Sequence, residues 1–317
     1  MLPPPGRLTV REYFEEWLAG TEHRLGPLTV RTYRDRINLR ILPHLGDRQL
    51  SKLQPLDLQR LYRRLLDDGL APGTVRFIHR VVHKVLEDAV RLGYLPANPA
   101  ARVDPPRTVQ DTAGAALTAE EARRLLEAAR GDRLEALGIL ALTTGMRQGE
   151  LLALRWRDVD LDGGTVRVTG TLVRLDGEYR IQEPKTASSR RAVKLGELAS
   201  AALRAHRQRQ LEERLRAGPA WHDLDLVFCR EDGYYLNARS AVKWLDELLK
   251  RAGIRKVRFH DLRHTAATLA LASGVDVRTT GALLGHASAK MTLDVYSHAL
   301  PGAAAAAAAA IDAALRR

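Results

Sequence analysis

The 317-residue chain has one cysteine, Cys229, and that scarcity closes off several chemistries. A single thiol forms neither an internal disulfide nor a cysteine-based zinc cluster, so beside the apolar run Leu226-Val227-Phe228 it reads as a small core residue. Long apolar runs are lacking as well. No stretch approaches the roughly 18 uncharged apolar residues of a membrane-spanning helix, and Met1-Leu2-Pro3-Pro4-Pro5 has neither the basic start nor the apolar core of a secretory signal. These absences predict a cytoplasmic, globular protein with no membrane partner. Lysine is scarce too, with eight in the chain, which leaves few candidates for any chemistry that needs an ammonium group.

Positive charge is nevertheless abundant. Fifty Lys and Arg stand against 38 Asp and Glu, giving a net charge of +12 and a pI near 10.2, a balance that favours polyanions such as nucleic acid. Charge alone also fits a solubilising surface, or a ribosomal or membrane-surface partner. Its distribution is more telling: 17 basic and 12 acidic residues fall in 1–106, and 33 and 26 in 107–317. Both parts are basic, as suits a protein gripping a duplex with two domains. The length and the 45% hydrophobic content also predict two domains.

The first part reads as helical throughout. Thr9 and Glu12 form a capping box, and Val10, Tyr13, Phe14, Trp17 and Leu18 follow at helical spacing. Further helical patterns cover about 29–42, 55–66 and 74–92. The last places Val75, Ile78, Val82, Val85, Leu86 and Ala89 on one side and stops at Gly93. Pro96-Ala97-Asn98-Pro99 closes this bundle of about four helices. Residues 100–116, with Pro105-Pro106 and Gly114 and no periodicity, read as a linker.

A second domain opens with another capping box, Thr118 to Glu121, preceded by Leu117 as a staple. Helices are expected to about 129 and over 133–143. Between Gly164 and Val193 the period changes to two, with Val166 and Val168, Leu172 and Val173, Tyr179 and Ile181, and Ala192-Val193, and with a turn at Asp176-Gly177. This predicts a small antiparallel sheet of about three strands. Helices return over about 198–215 and 240–251, then 261–272, 277–284 and 289–298. The fold class expected is mainly α, with one small sheet in the second domain.

Four separated pieces of that domain concentrate residues able to bind and cut a phosphodiester: Thr144-Gly145-Met146-Arg147-Gln148-Gly149-Glu150, Pro184-Lys185-Thr186, His260-Asp261-Leu262-Arg263-His264 and Leu284-Gly285-His286. Tyr296 follows ten residues after His286. Phosphodiester exchange spreads negative charge over non-bridging oxygens, which planar guanidinium groups hold with paired hydrogen bonds, hence Arg147 and Arg263. His260 and Arg263 at i and i+3 face one way, so one helix presents an imidazole and a guanidinium together. His286 supplies a further donor. A tyrosine with an ordinary pKa of about 10 is ionised about one part in a thousand at pH 7, so Tyr296 needs nearby cations or a neutral histidine to become a nucleophile.

Taken in order, these pieces resemble the tyrosine recombinase, or phage integrase, family: an Arg in a Thr-Gly-x-Arg-x-x-Glu turn, a hairpin Lys, a His-x-x-Arg box, a Leu-Gly-His turn and a Tyr shortly after. The resemblance implies a helical core-binding (SAM-like) DNA-binding domain over 7–99, a linker over 100–116, a catalytic domain over 117–300 and an Ala-rich helical tail over 301–317. It implies a site-specific DNA recombinase, an enzyme whose Tyr296 attack leaves a 3′-phosphotyrosyl intermediate and a free 5′-hydroxyl. No cofactor is expected, because the covalent bond conserves the energy and exchange needs neither ATP nor metal. The family's general acid is a lysine on a β-hairpin. Of the five lysines between Arg147 and His260, Lys185 stands in the hairpin-like context. The expected partners are double-stranded DNA bearing a specific target site, other protomers in a tetrameric synapse, and an accessory directionality factor.

Glu150 reads either as a support that pairs with Arg147 or a neighbouring cation, or as a helix-surface glutamate. The exposed Arg34, Arg76 and Arg80 are candidates for touching DNA, through bases or phosphates alone. His260 and His264, spaced i and i+4, resemble half of a zinc-protease helix, but that motif needs Glu where Asp261 stands; Asp261 reads as an N-terminal helix residue. Only residues 1–6 precede the first helix, so the expectation is that an additional arm-binding domain is absent or was removed. The alanine run at 303–310 reads as a helix, with docking onto a neighbouring protomer as its family role. Two other functions fit the chemistry: a type IB topoisomerase-like strand relaxation, and a catalytically idle DNA-binding protein on the same scaffold.

Overall fold

In a computed structural model, residues 7–108, 116–183 and 190–285 are described. Backbone contacts divide the chain into two units, Met1–Gln110 and Asp111–Arg317.

The first unit is all helical among its described residues. Helix α1 (Val10–Thr21) starts on the capping box read from sequence: the Glu12 N–H donates to the Thr9 hydroxyl at 3.2 Å, and the Thr9 N–H to the Glu12 carboxylate at 2.8 Å. Its apolar stripe buries Tyr13, Phe14, Trp17 and Leu18. The single helix expected over 29–42 is three segments: α2 (Pro27–Arg36), a π-turn (Ile37–Ile41) and the short α3 (Leu42–Leu45). The Leu42 N–H bonds to the Ile37 carbonyl, five residues back, and Pro43 follows with no N–H to continue the ladder. Helices α4 (Pro55–Asp67) and α5 (Pro72–Arg91) each begin with proline, which loses no bond in a first turn. On α5 the stripe from Val75 to Ala89 is buried as its spacing requires, and the Trp17 indole donates to Asp88 at 2.8 Å to tie α1 to α5.

In the second unit, α6 (Ala119–Ala129) opens on the Thr118–Glu121 capping box. Helix α7 (Glu135–Thr144) is apolar on nearly every side, and such a helix must be surrounded. It is: α6, α9 (Glu197–Ala217) and α11 (Phe259–Ala272) pack around it, while α10 (Ala238–Ala252) lies on α6. The short α8 (Gln148–Leu152) follows α7, and α12 (Val277–Leu284) packs on α11. Cys229 is buried here, with the Gln210 amide donating to its sulfur at 2.9 Å, and burial pushes its thiol pKa up.

The antiparallel part is richer than one sheet. Strands β1 (Val159–Asp160), β2 (Thr165–Val168) and β5 (Arg191–Lys194) form a three-stranded sheet in the order β1-β2-β5. Strands β3 (Thr171–Leu175) and β4 (Glu178–Gln182) form a separate hairpin closed by Asp176-Gly177, both with positive φ. Period-two patterning marks strands without saying which of them pair. Burial separates the two sheets: Val166, Val168 and Val193 sit in the core, whereas Leu172 and Ile181 on the hairpin are only half-buried. Val159–Asp160 is too short to carry a period. Among the described residues no helix is long and apolar enough to cross a membrane. The helix expected over 289–298 and the alanine run lie outside the described residues.

Candidate active site

Helix α7 ends at Gly145 in the left-handed region, φ 60°, where a Cβ would stand 2.6 Å from Leu284 Cδ2. Glycine therefore both makes this turn and lets α12 come against it. Two residues later Arg147 is the N-cap of α8, with extended backbone (ψ 150°), and its side chain remains 40% exposed. Glu150, at N3, accepts from the Arg147 N–H at 2.9 Å and from its Nη1 at 2.9 Å. The spacing of three that invited a pairing in the sequence is thus half a capping box plus an ion pair.

The same construction begins α11. Asp261 accepts from the Arg258 N–H at 2.7 Å and from its Nη2 at 2.7 Å, so it is the N-terminal helix residue the sequence indicated. Its carboxylate is committed to Arg258, and the rings of His260 and His264 pack edge to face at 4.9 Å. Among the described residues no three His, Cys, Asp or Glu side chains are placed to hold a metal ion.

Arg263, one turn after His260, is 3% exposed; its Nη1 donates to the Gly145 carbonyl and its Nη2 to the Leu284 carbonyl, each at 2.6 Å. It joins the turn before Arg147 to the end of α12. His260 keeps solvent access, yet partial burial, then repulsion from His264 and Arg263, hold its pKa below the ordinary imidazole value. At pH 7 it is neutral and able to accept a proton.

Glu150 is 6% exposed and holds a second cation that sequence reasoning missed. Arg191, 8% exposed, donates Nη2 to Glu150 Oε2 at 2.9 Å and Nη1 to Oε1 at 3.4 Å, while its Nε donates to the Leu283 carbonyl at 2.9 Å. Burial alone would raise the Glu150 carboxyl, but Arg191 and then Arg147 outweigh it and hold the group below the usual carboxylate range. A signal was present: Arg191 shares the inward face of β5 with buried Val193, and a charge on an inward face needs a partner.

The structure therefore brings Arg147, Glu150 and Arg263 together and sets His260 one helical turn away. Lys185, His286 and Tyr296 lie outside the described residues. Arg34 is exposed on α2 and pairs with Glu22; Arg76 and Arg80 are exposed on α5, with the Arg80 guanidinium 5.3 Å from the centre of the Phe77 ring.

The fold is that of DNA integrases. It is similar to the Tn1549 transposon integrase in complex with a circular intermediate DNA, with a TM-score of 0.79 over 96% of this chain and 99% of that one at 23% identity. It is also similar to lambda integrase as a tetramer bound to a Holliday junction, with a TM-score of 0.69 over 91% and 77% at 18% identity. In sequence, residues 115–302 match the phage integrase family and residues 9–66 its N-terminal SAM-like domain. A tyrosine recombinase XerC-like protein of Caldanaerobacter subterraneus subsp. tengcongensis is 33% identical across 80% of this chain and 69% of its own length. The chain belongs to the phage integrase family and is a tyrosine-type site-specific recombinase.

Proposed function

We propose that this protein cleaves and rejoins DNA at a specific target site, with Tyr296 as nucleophile and Arg147, Lys185, His260, Arg263 and His286 as the groups around the scissile phosphate. The observation that carries this reading is the bond from Arg263 to the Gly145 carbonyl, which sets the two arginine motifs side by side across 118 residues of sequence. Two guanidiniums at one place suit the charge of a five-coordinate phosphoryl transition state. Neutral His260 is suited to accepting the phenol proton. The Tyr296 oxygen then bonds to phosphorus as the bond to the 5′-oxygen breaks, and Lys185 donates the proton that leaves a 5′-hydroxyl. A 5′-hydroxyl of a second strand attacks the 3′-phosphotyrosyl bond in turn and releases the tyrosine. Every bond broken is replaced by one of similar energy, so the cycle needs no ATP and no metal.

Residues 7–99 act in this reading as the core-binding domain and 117–300 as the catalytic domain, joined by 100–116, and the protein works in the cytoplasm. The family resemblance extends the partners to a tetrameric synapse and an accessory directionality factor, and lambda integrase, a tetramer on a Holliday junction, supports the first. Glu150 acts as a support for Arg147, and Arg34, Arg76 and Arg80 as phosphate or base contacts. A target can be selected from a random-sequence duplex pool by covalent capture and rebuilt as a suicide duplex nicked beside the cleavage position. Wild type should then trap DNA covalently and Tyr296→Phe should not; equal trapping by both overturns the nucleophile assignment. Relaxation of supercoiled plasmids lacking that target would point to a topoisomerase instead.

A further inference from the structure

Arg191 opens β5 and is spent on two partners at once. Its Nη atoms fork onto both oxygens of Glu150, at 2.9 and 3.4 Å, and its Nε holds the Leu283 carbonyl at 2.9 Å. It reaches Leu283 by passing against the bare Cα of Gly285, where a Cβ would stand 3.0 Å from Nη1 and 3.2 Å from Cδ. The same carboxylate meets Arg147: Oε2 accepts from its N–H and Oε1 from its Nη1.

The charges do not balance within this trio, and the imbalance is informative. One buried carboxylate holds two guanidiniums, so the cluster carries one net positive charge. Of the two arginines, Arg191 is 8% exposed and Arg147 is 40% exposed, so the surplus charge faces solvent on Arg147. With Glu150 held by Arg147 alone, the pair would be neutral and the guanidinium drawn onto the carboxylate, away from any incoming anion. The Leu283 bond also fixes Glu150 relative to the end of α12, the same end that Arg263 grips through Leu284.

We infer that Arg191 is a positioning residue: it neutralises Glu150 so that the Arg147 guanidinium remains available to the DNA phosphate, and it locks the Arg147 turn to the end of α12. This rests on the reading of Arg147 as a phosphate ligand. Outer partners that orient metal ligands change affinity or activity by roughly 10- to 100-fold when removed, and a loss of that order is expected for a partner that orients a phosphate-binding guanidinium.

The test compares strand cleavage by wild type, Arg191→Met, Arg191→Lys, Glu150→Gln and the double variant Arg191→Met/Glu150→Gln, using two versions of the selected suicide duplex. One carries the natural phosphodiester and the other an uncharged methylphosphonate at the scissile position. Melting temperature and duplex affinity are followed alongside. On the phosphodiester, Arg191→Met should lose roughly 10- to 100-fold in cleavage rate with affinity nearly unchanged, Arg191→Lys should lose less, and Glu150→Gln in the Met background should restore much of the rate. On the methylphosphonate, which offers Arg147 no charge, the loss should shrink to a few-fold. Equal losses on both substrates, or no rescue by Glu150→Gln, would overturn the inference and leave Arg191 a structural residue. If Arg191→Met does not fold, the double variant, which has no unpaired buried charge, decides by its rate relative to Glu150→Gln: near equality supports the inference, and a further loss equal on both substrates overturns it. A wild type forming no Tyr296-dependent covalent complex sinks this inference together with the functional reading; one that forms the complex but shows substrate-independent losses sinks this inference alone.

Discussion

The Arg263 guanidinium and the Gly145 carbonyl meet at 2.6 Å, and through that bond the middle of α11 is fastened to the turn that presents Arg147. The other Nη of Arg263 does the same for Leu284. Arg263→Met would leave both carbonyls without this donor in a buried setting. Each such loss costs about 1–3 kcal/mol, so urea unfolding of the second unit should show a destabilisation of about 2–6 kcal/mol. An unchanged midpoint would mean the two bonds are idle.

Gly285 is predicted to matter for more than its backbone. It sits at φ 66° with Arg191 against its Cα, whereas Gly274, at φ 87°, has open space around its Cβ position. Alanine at either carries the left-handed penalty of about 1–2 kcal/mol. Gly285→Ala must also displace Arg191, so it should be the more destabilising of the two and should slow strand cleavage, while Gly274→Ala should leave cleavage near wild type. Matching cleavage rates for the two variants would contradict the packing described.

Acid should destabilise the protein in two stages. In His79, His206, His260 and His264, burial is the first cause of a pKa below the ordinary 6.5. The folded chain thus favours their neutral forms, and the stability they contribute is complete above pH 6.5 and is lost as pH falls below it. Glu150 and Asp261 are pushed up by burial but held down more strongly by Arg191 and Arg147 and by Arg258, respectively; their contribution is complete above their ordinary values of 4.5 and 3.8 and is lost as pH falls through the lower folded values. Melting temperature should therefore begin to fall near pH 6.5 and fall more steeply below about pH 4.5. Cleavage should also slow as pH falls through the lowered folded-state pKa of His260, below the ordinary 6.5. A melting temperature that is flat from pH 7 to pH 5 would count against the buried-histidine part.

Duplex affinity should depend steeply on salt. With basic excess in both parts of the chain, binding releases counterions, and a protein making 6–10 phosphate contacts loses about 10³- to 10⁵-fold in affinity between 50 and 200 mM salt. Fluorescence anisotropy with the selected duplex measures the slope, and a shallow slope would mean that few of these charges reach DNA.

Much of this architecture was legible because its signals are local. The capping boxes at Thr9 and Thr118, the apolar stripe on α5 and the Asp176-Gly177 turn each depend on a few neighbouring residues, and each formed as its spacing requires. The π-turn after α2 was not legible, since nothing in helical periodicity separates a ladder of four from one of five. Nor was the division of the strands into a sheet and a hairpin, because pairing is a long-range choice. At the site, the sequence supplied Arg147, Glu150, His260 and Arg263 as residue types in order. For Arg191 it carried only the hint of a charge on an inward strand face; its partners, Glu150 and Leu283, lie 41 and 92 residues away in the chain.

The most direct test of the account is the identity of the residue that becomes linked to DNA. After trapping on the selected suicide duplex and digestion with nuclease and trypsin, the peptide beginning at Met291 should carry a nucleotide adduct on Tyr296, identified by fragmentation mass spectrometry. An adduct on any other residue, or a fully active protein that leaves none on Tyr296, would contradict it.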